Sequence, residues 1–313
     1  MAQIRKCINV DGPKKNVVVF DGGGVRGRFG LEVCRLLAEN QPVPLSQLFS
    51  MAAGVSAGAI IATIVALGLL DDSKTANTTC VNFYTYMPHM FHKQNKTGPW
   101  LAPRYDGTGK TLALRNVLGT KTFADVLTPL VICCCQPNGK PRNFCSWDPQ
   151  VRDVLLADVL DASSAAPIFF PPVQVQGTWL VDGGVSANKP LMPALLNSIE
   201  FFDRAHIRFL SIGSTATDSG PELTFAKAGL MGVFAWIGHG LLGVLLGTQD
   251  NTHDKVIQAL FMDRFMRVEC ECDDIRIDDY SQASCVRFDK AARLVWEKQS
   301  EQILFFLKPL VLT

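Results

Sequence analysis

The sequence predicts an α/β fold in which a largely parallel central sheet is flanked by helices, and three observations carry that expectation. First, the β-branched run Asn16-Val17-Val18-Val19-Phe20 ends in Asp21-Gly22-Gly23-Gly24 and gives way to a helix-like pattern from Phe29 to Asn40. Second, a similar unit follows: Leu48 to Ala53, the glycine-flanked turn Gly54-Val55-Ser56-Ala57-Gly58, then Ala59 to Leu67, an apolar run too long for one strand. Third, further strand-like runs lie at Leu130 to Cys135, Trp179 to Val181 and Arg208 to Ile212. Strands that alternate with helices pair in parallel and need cover on both faces.

Two stretches break the rhythm. Asp71 to Lys110 is rich in Ser, Thr, Asn, Gly and Pro with Phe83, Tyr84, Tyr86, Phe91 and Trp100, and reads as a surface insertion with its own small core rather than a substrate-covering lid. Ala228 to Gly247 holds only His239 as a clearly polar side chain, so its length raises the question of a membrane span. Its six glycines fit buried or broken helices better, or an apolar wall for an acyl chain.

The 313 residues, 48% hydrophobic, can bury a large core. With no linker or low-complexity tract, they are expected to form one domain over 1–313, its core at about 16–213 and a helical continuation over 221–313. A net charge of +1 with interspersed signs supplies neither a field for nucleic acid nor a polybasic stripe for anionic lipid. Any membrane contact would be transient and mainly apolar. Met1 to Lys15 lacks a signal-peptide core, so the expected location is cytoplasmic, peripheral at membranes at most, with the ten cysteines reduced. Cys270-x-Cys272 with Cys285 has no second pair or nearby histidine, so no metal is expected.

The chemistry concentrates at glycines. A G-x-S-x-G turn holds its serine in strained dihedrals, and the flanking glycines relieve crowding and expose Oγ, which makes Ser56 the candidate nucleophile. Gly22-Gly23-Gly24-Val25-Arg26-Gly27 opens a helix and can cradle an anion. As a dinucleotide fingerprint it wants an acidic residue ending the next strand, whereas Glu39 lies in a helix end and loop. As an oxyanion hole it suits a serine that attacks an ester. The base could be a carboxylate or one of five histidines, and Asp182-Gly183-Gly184 sits at the carboxyl end of a strand. His89, His92, His206, His239 and His253 have no comparable setting.

In order along the chain, Asp21 to Gly27, the turn at Ser56, Ala162-Ser163-Ser164-Ala165-Ala166-Pro167 with Phe170-Pro171-Pro172, and Asp182-Gly183-Gly184 with Asn188-Lys189-Pro190 resemble the patatin-like phospholipases. Val55 and Ala57 differ from the residues most often seen beside this serine, yet both are small enough for the turn. The resemblance implies a three-layer patatin-like fold, Ser56 as nucleophile, Asp182 as its base in a Ser-Asp dyad, Gly22, Gly23 and Gly24 as oxyanion donors, and no cofactor. It implies an acyl hydrolase of phospholipids or related lipids acting through an acyl-enzyme. Arg26 would either contact substrate phosphate or tie the turn down in an ion pair with Asp21. Two alternatives stand beside this reading: an α/β-hydrolase with a Ser-His-Asp triad using His239 or His253, and a non-catalytic anion- or nucleotide-binding module.

Overall fold

A computed structural model describes residues 15–91, 102–214, 253–270 and 275–308. Strands β1 (Lys15–Phe20), β2 (Met51–Val55), β3 (Leu130–Cys135), β4 (Pro141–Cys145), β5 (Val173–Val175), β6 (Thr178–Asp182), β7 (Ile207–Ser214) and β8 (Phe265–Cys270) form one sheet of order β5-β6-β3-β2-β1-β7-β8, with β4 also on β3. The run from β3 through β2, β1 and β7 to β8 is parallel, and β4, β5 and β6 enter antiparallel. The chain builds outward from β1 through β2 to β3 and later returns to β1's other edge with β7. The order therefore reverses at β1, the kind of switch point at whose carboxyl end α/β sites open.

Helices cover both faces, giving three layers. Val18, Phe20, Ala52, Ile132, Leu210 and Val268 face a layer containing α1 (Gly27–Asn40), α3 (Ala57–Ala66), α6 (Leu156–Ser163) and α9 (Gln282–Leu307), while α2 (Leu45–Leu48) closes the approach to β2. The alternate positions Val17, Val19, Ala53, Val55, Val131 and Phe209 face α8 (Leu191–Ser198) and the helical residues 253–261, and the short α7 (Gly184–Ala187) links β6 to that side. Side chains alternate across a strand, so an unbroken Val-Val-Val run serves two cores at once.

The expected insertion is different in kind. Ser73–Met90 forms a helix, α4, capped by Asp72, whose carboxylate accepts the Thr75 N–H at 2.9 Å. Ala76, Cys80, Phe83, Met87 and Met90 belong to the main core beside α1 and α5 (Thr108–Leu118), so this segment shares that core rather than building a separate one. Burying Phe83 contributes about 1.5–3 kcal/mol. The polar faces of its threonines hid the helix; Thr78 and Thr85 donate back to the carbonyls of Lys74 and Val81. The C-terminal portion is not wholly helical either, because β8 extends the sheet beside β7. Ala228 to Gly247, with Trp236 and His239, and also His92, Trp100 and Cys272, lie outside the described residues. Among the described residues no helix is long and apolar enough to cross a membrane.

Candidate active site

Ser56 occupies the junction of β2 and α3 at φ 54°, ψ −127°, a conformation that an L-residue adopts only when its surroundings impose it. Both flanking glycines are required by close backbone approach. A Cβ on Gly54 would overlap the Gly58 carbonyl, and one on Gly58 would overlap the carbonyls of Phe20 and Asp21. The elbow is thus wedged against the end of β1, and the glycine turn that follows β1 lies beside it: a Cβ on Gly22 would stand 3.4 Å from Ser56 Cβ.

Asp182 reaches Ser56 through a fork in the sheet. β4 lines one edge of β3 from Val131 to Cys135. On the other edge β2 pairs as far as Val55 opposite Cys133, and β6 takes over with Asp182 opposite Cys134. Successive residues of β3 therefore set the last residue of β2 next to the last residue of β6, and the chain beyond each carries the chemistry. Ser163, fully buried at the end of α6, sits at this fork; its Oγ accepts the Ser56 N–H at 3.0 Å and donates to the Cys133 carbonyl at 2.7 Å.

The Asp182 carboxyl is buried, and loss of hydration pushes its pKa from 3.8 up to about 6. The Ser56 hydroxyl, the Gly184 N–H at 2.7 Å and the positive charge of Lys110 each favour the carboxylate and limit that rise. Lys110 is itself buried, 2.8 Å from Asp161 and 4.7 Å from the centre of the Phe170 ring, and burial pulls its pKa down. Among the described residues no histidine acts on Asp182. His253 Nδ1 is buried with no hydrogen-bond partner among the described residues, and His206 is exposed.

The glycine turn presents its donors unevenly. The Gly22 N–H is committed to the Asn188 carbonyl at 2.9 Å, while among the described residues no acceptor meets the N–H of Gly23 or Gly24. Gly24 has φ +58°, and a Cβ there would overlap the Ile277 carbonyl. Arg26 donates to the Ile275 carbonyl at 2.8 Å and 3.1 Å, and Val25 N–H donates to Ile277. The ion pair expected for Asp21 is made by Arg267 on β8, at 2.5 Å, across Ser211 of β7. Sequence reasoning had no access to that partner, since it depends on β8 lying two strands from β1. Glu39 binds Arg35 on its own helix.

A family model for the patatin-like phospholipases matches residues 18–195. The chain is 26% identical to the cGAMP-activated phospholipase of Escherichia coli (strain TW11681), over 96% of this chain and 95% of that protein. It is also 26% identical to patatin-like protein 1 of Oryza sativa subsp. indica, over 86% of this chain and 75% of the relative. The crystal structure of VipD from Legionella pneumophila superposes with a TM-score of 0.50 at 14% identity, covering 92% of this chain and 68% of that one, a likeness of fold.

Proposed function

The chain belongs to the patatin-like phospholipase family of lipid hydrolases, and from that premise we propose that it cleaves carboxylic esters of phospholipids or related acyl lipids through a Ser56-Asp182 dyad. The observation that supports the reading is the fork on β3, which brings the strained elbow that carries Ser56 beside the end of β6, where the Asp182 carboxyl has a raised pKa. Ser56 Oγ attacks the acyl carbonyl as Asp182 takes its proton, and that proton passes to the departing alcohol oxygen. Gly23 and Gly24 N–H groups hold the oxyanion; Gly22 shapes the turn instead of donating, its N–H being occupied. Water, deprotonated by Asp182, then releases the fatty acid and restores Ser56. A base with a pKa about 6 is ionised near neutrality and still holds a proton readily, which suits both steps.

Arg26, tied to the Ile275 carbonyl, supports the turn in this reading. The lipid would be drawn from a membrane surface by apolar contact, since a net charge of +1 provides little electrostatic recruitment. Turnover of a defined phospholipid panel, followed by product mass spectrometry, tests the proposal. Ser56→Ala and Asp182→Ala should each abolish most hydrolysis, and the double variant should be little worse because both act in one step. Full activity in either folded single variant refutes the dyad.

A further inference from the structure

The fork that brings Ser56 and Asp182 together creates a local problem in the sheet. Past Val55 the chain turns away from β3, so the Ser56 N–H leaves the ladder at a buried position. A buried N–H or C=O without a partner is costly, and both Ser56 N–H and the Cys133 carbonyl find theirs in one atom, Ser163 Oγ. The two bonds have opposite sense: the hydroxyl accepts from Ser56 at 3.0 Å and donates to Cys133 at 2.7 Å. A hydroxyl can do both, whereas a thiol does each poorly and a methyl does neither. Cys133 stands opposite Val55, and the next residue, Cys134, stands opposite Asp182. The clasp thus joins the backbone of the nucleophile to the strand residue adjoining the register of the base.

We propose that Ser163 is a positioning residue for hydrolysis, its hydroxyl fixing the Ser56 elbow at the fork so that Oγ faces both Asp182 and the acyl carbonyl. This rests on the dyad reading. Ser163 touches neither substrate nor reacting atoms; it acts through the orientation of Ser56. Loss of the clasp lets the elbow relax, and a displacement of about 1 Å between reacting groups costs on the order of 10²-fold in rate.

The test uses the full chain and two readouts: kcat and KM on a short soluble ester, and the rate at which a fluorophosphonate probe labels Ser56, read by mass spectrometry. Ser163→Ala should lower kcat and the labelling rate by on the order of 10²-fold, with KM little changed. Ser198→Ala is the matched control; that serine is equally buried, but its Oγ donates to Leu195 within α8, so both rates should stay at the parent value. Should Ser163→Ala fail to fold, Ser163→Cys fills the same space with a poor acceptor and carries the same expectation. Parent rates of turnover and labelling in a folded Ser163 variant overturn the inference. If Ser56→Ala, run in parallel, retains activity, the dyad itself fails, a result distinguishable from failure of the clasp.

Discussion

Replacing Asp182 with asparagine should abolish hydrolysis and yet make the folded protein more stable at neutral pH. The carboxyl is buried, and its pKa moves from 3.8 to about 6 because the charged form loses hydration that Ser56, Gly184 and Lys110 only partly replace. At about 1.4 kcal/mol per tenfold, that displacement means the ionised form destabilises the native state by about 3 kcal/mol. The sign follows from linkage. With the folded pKa above the unfolded one, Asp182 carries no penalty below about pH 4, where it is neutral in both states; stability is lost as pH rises through about 6 and the full penalty applies above it. Asparagine keeps an oxygen for the Gly184 N–H, bonded at 2.7 Å, and never carries charge. With an unfolding entropy of roughly 2.1 cal/mol/K per residue over 313 residues, about 3 kcal/mol corresponds to a melting point higher by about 4–5 °C near pH 8. Scanning calorimetry at about pH 4, 6 and 8 should show the gap between Asp182→Asn and its parent opening with pH. A gap that is absent near pH 8, or equal at all three values, would refute the argument that an unfavourable buried charge is maintained there for catalysis.

Parent kcat/KM should rise with pH through an inflection near 6 as Asp182 ionises, and the paired change Lys110→Met with Asp161→Asn should move that inflection upward, because the lysine charge favours the carboxylate; an unmoved profile would remove Lys110 from the electrostatics of the site. Gly24→Ala forces an alanine into φ +58° against the Ile277 carbonyl, and should lower kcat on the order of 10²-fold while circular dichroism stays native. Arg267→Ala leaves the Asp21 carboxylate buried without its ionic partner, and urea titration should register a loss of about 3–5 kcal/mol; a loss under 1 kcal/mol would mean that another group compensates.

What the sequence revealed most clearly was whatever local backbone geometry dictates. The strand-turn-helix at Phe20 to Gly27 and the elbow at Ser56 announce themselves because each is a β-branched or apolar run, then glycines, then a helix-like pattern, and the structure puts strands and helices where those patterns predict them; the contacts that demand the glycines, such as Gly58 against the carbonyls of Phe20 and Asp21, come from elsewhere in the chain. Asp182 was legible as a strand end, but its proximity to Ser56 was not, since that depends on β3 exchanging one partner for another along the same edge. Ser163, Lys110 and Arg267 were hidden for the same reason: their partners lie 107, 51 and 246 residues away. The helix over Ser73–Met90 was there to be found, because Ala76, Cys80, Phe83, Met87 and Met90 recur at spacings of four and three, and only the threonine- and asparagine-rich intervals masked the stripe.

Ser56 and Asp182, the proposed nucleophile and base, both lie within residues 18–195, but the glycine turn proposed to hold the oxyanion is braced from much farther along: Arg267 grips Asp21, and the carbonyls of Ile275 and Ile277 receive Arg26 and Val25. Asp278 extends the brace, binding Arg104 at 2.8 Å and the Tyr105 hydroxyl at 2.9 Å. For a hydrolase directed at lipid this arrangement works as an interlock during synthesis. A nascent chain emerging from the ribosome carries Ser56 and Asp182 long before it carries the brace, so a half-made enzyme should be chemically quiet toward nearby membrane. The same logic makes a single proteolytic cut ahead of β8, followed by loss of the C-terminal piece, a way of silencing the site without touching either reacting side chain. A chain ending at Ser214 should accordingly fail to hydrolyse lipid, and turnover by such a fragment would show that the turn holds itself.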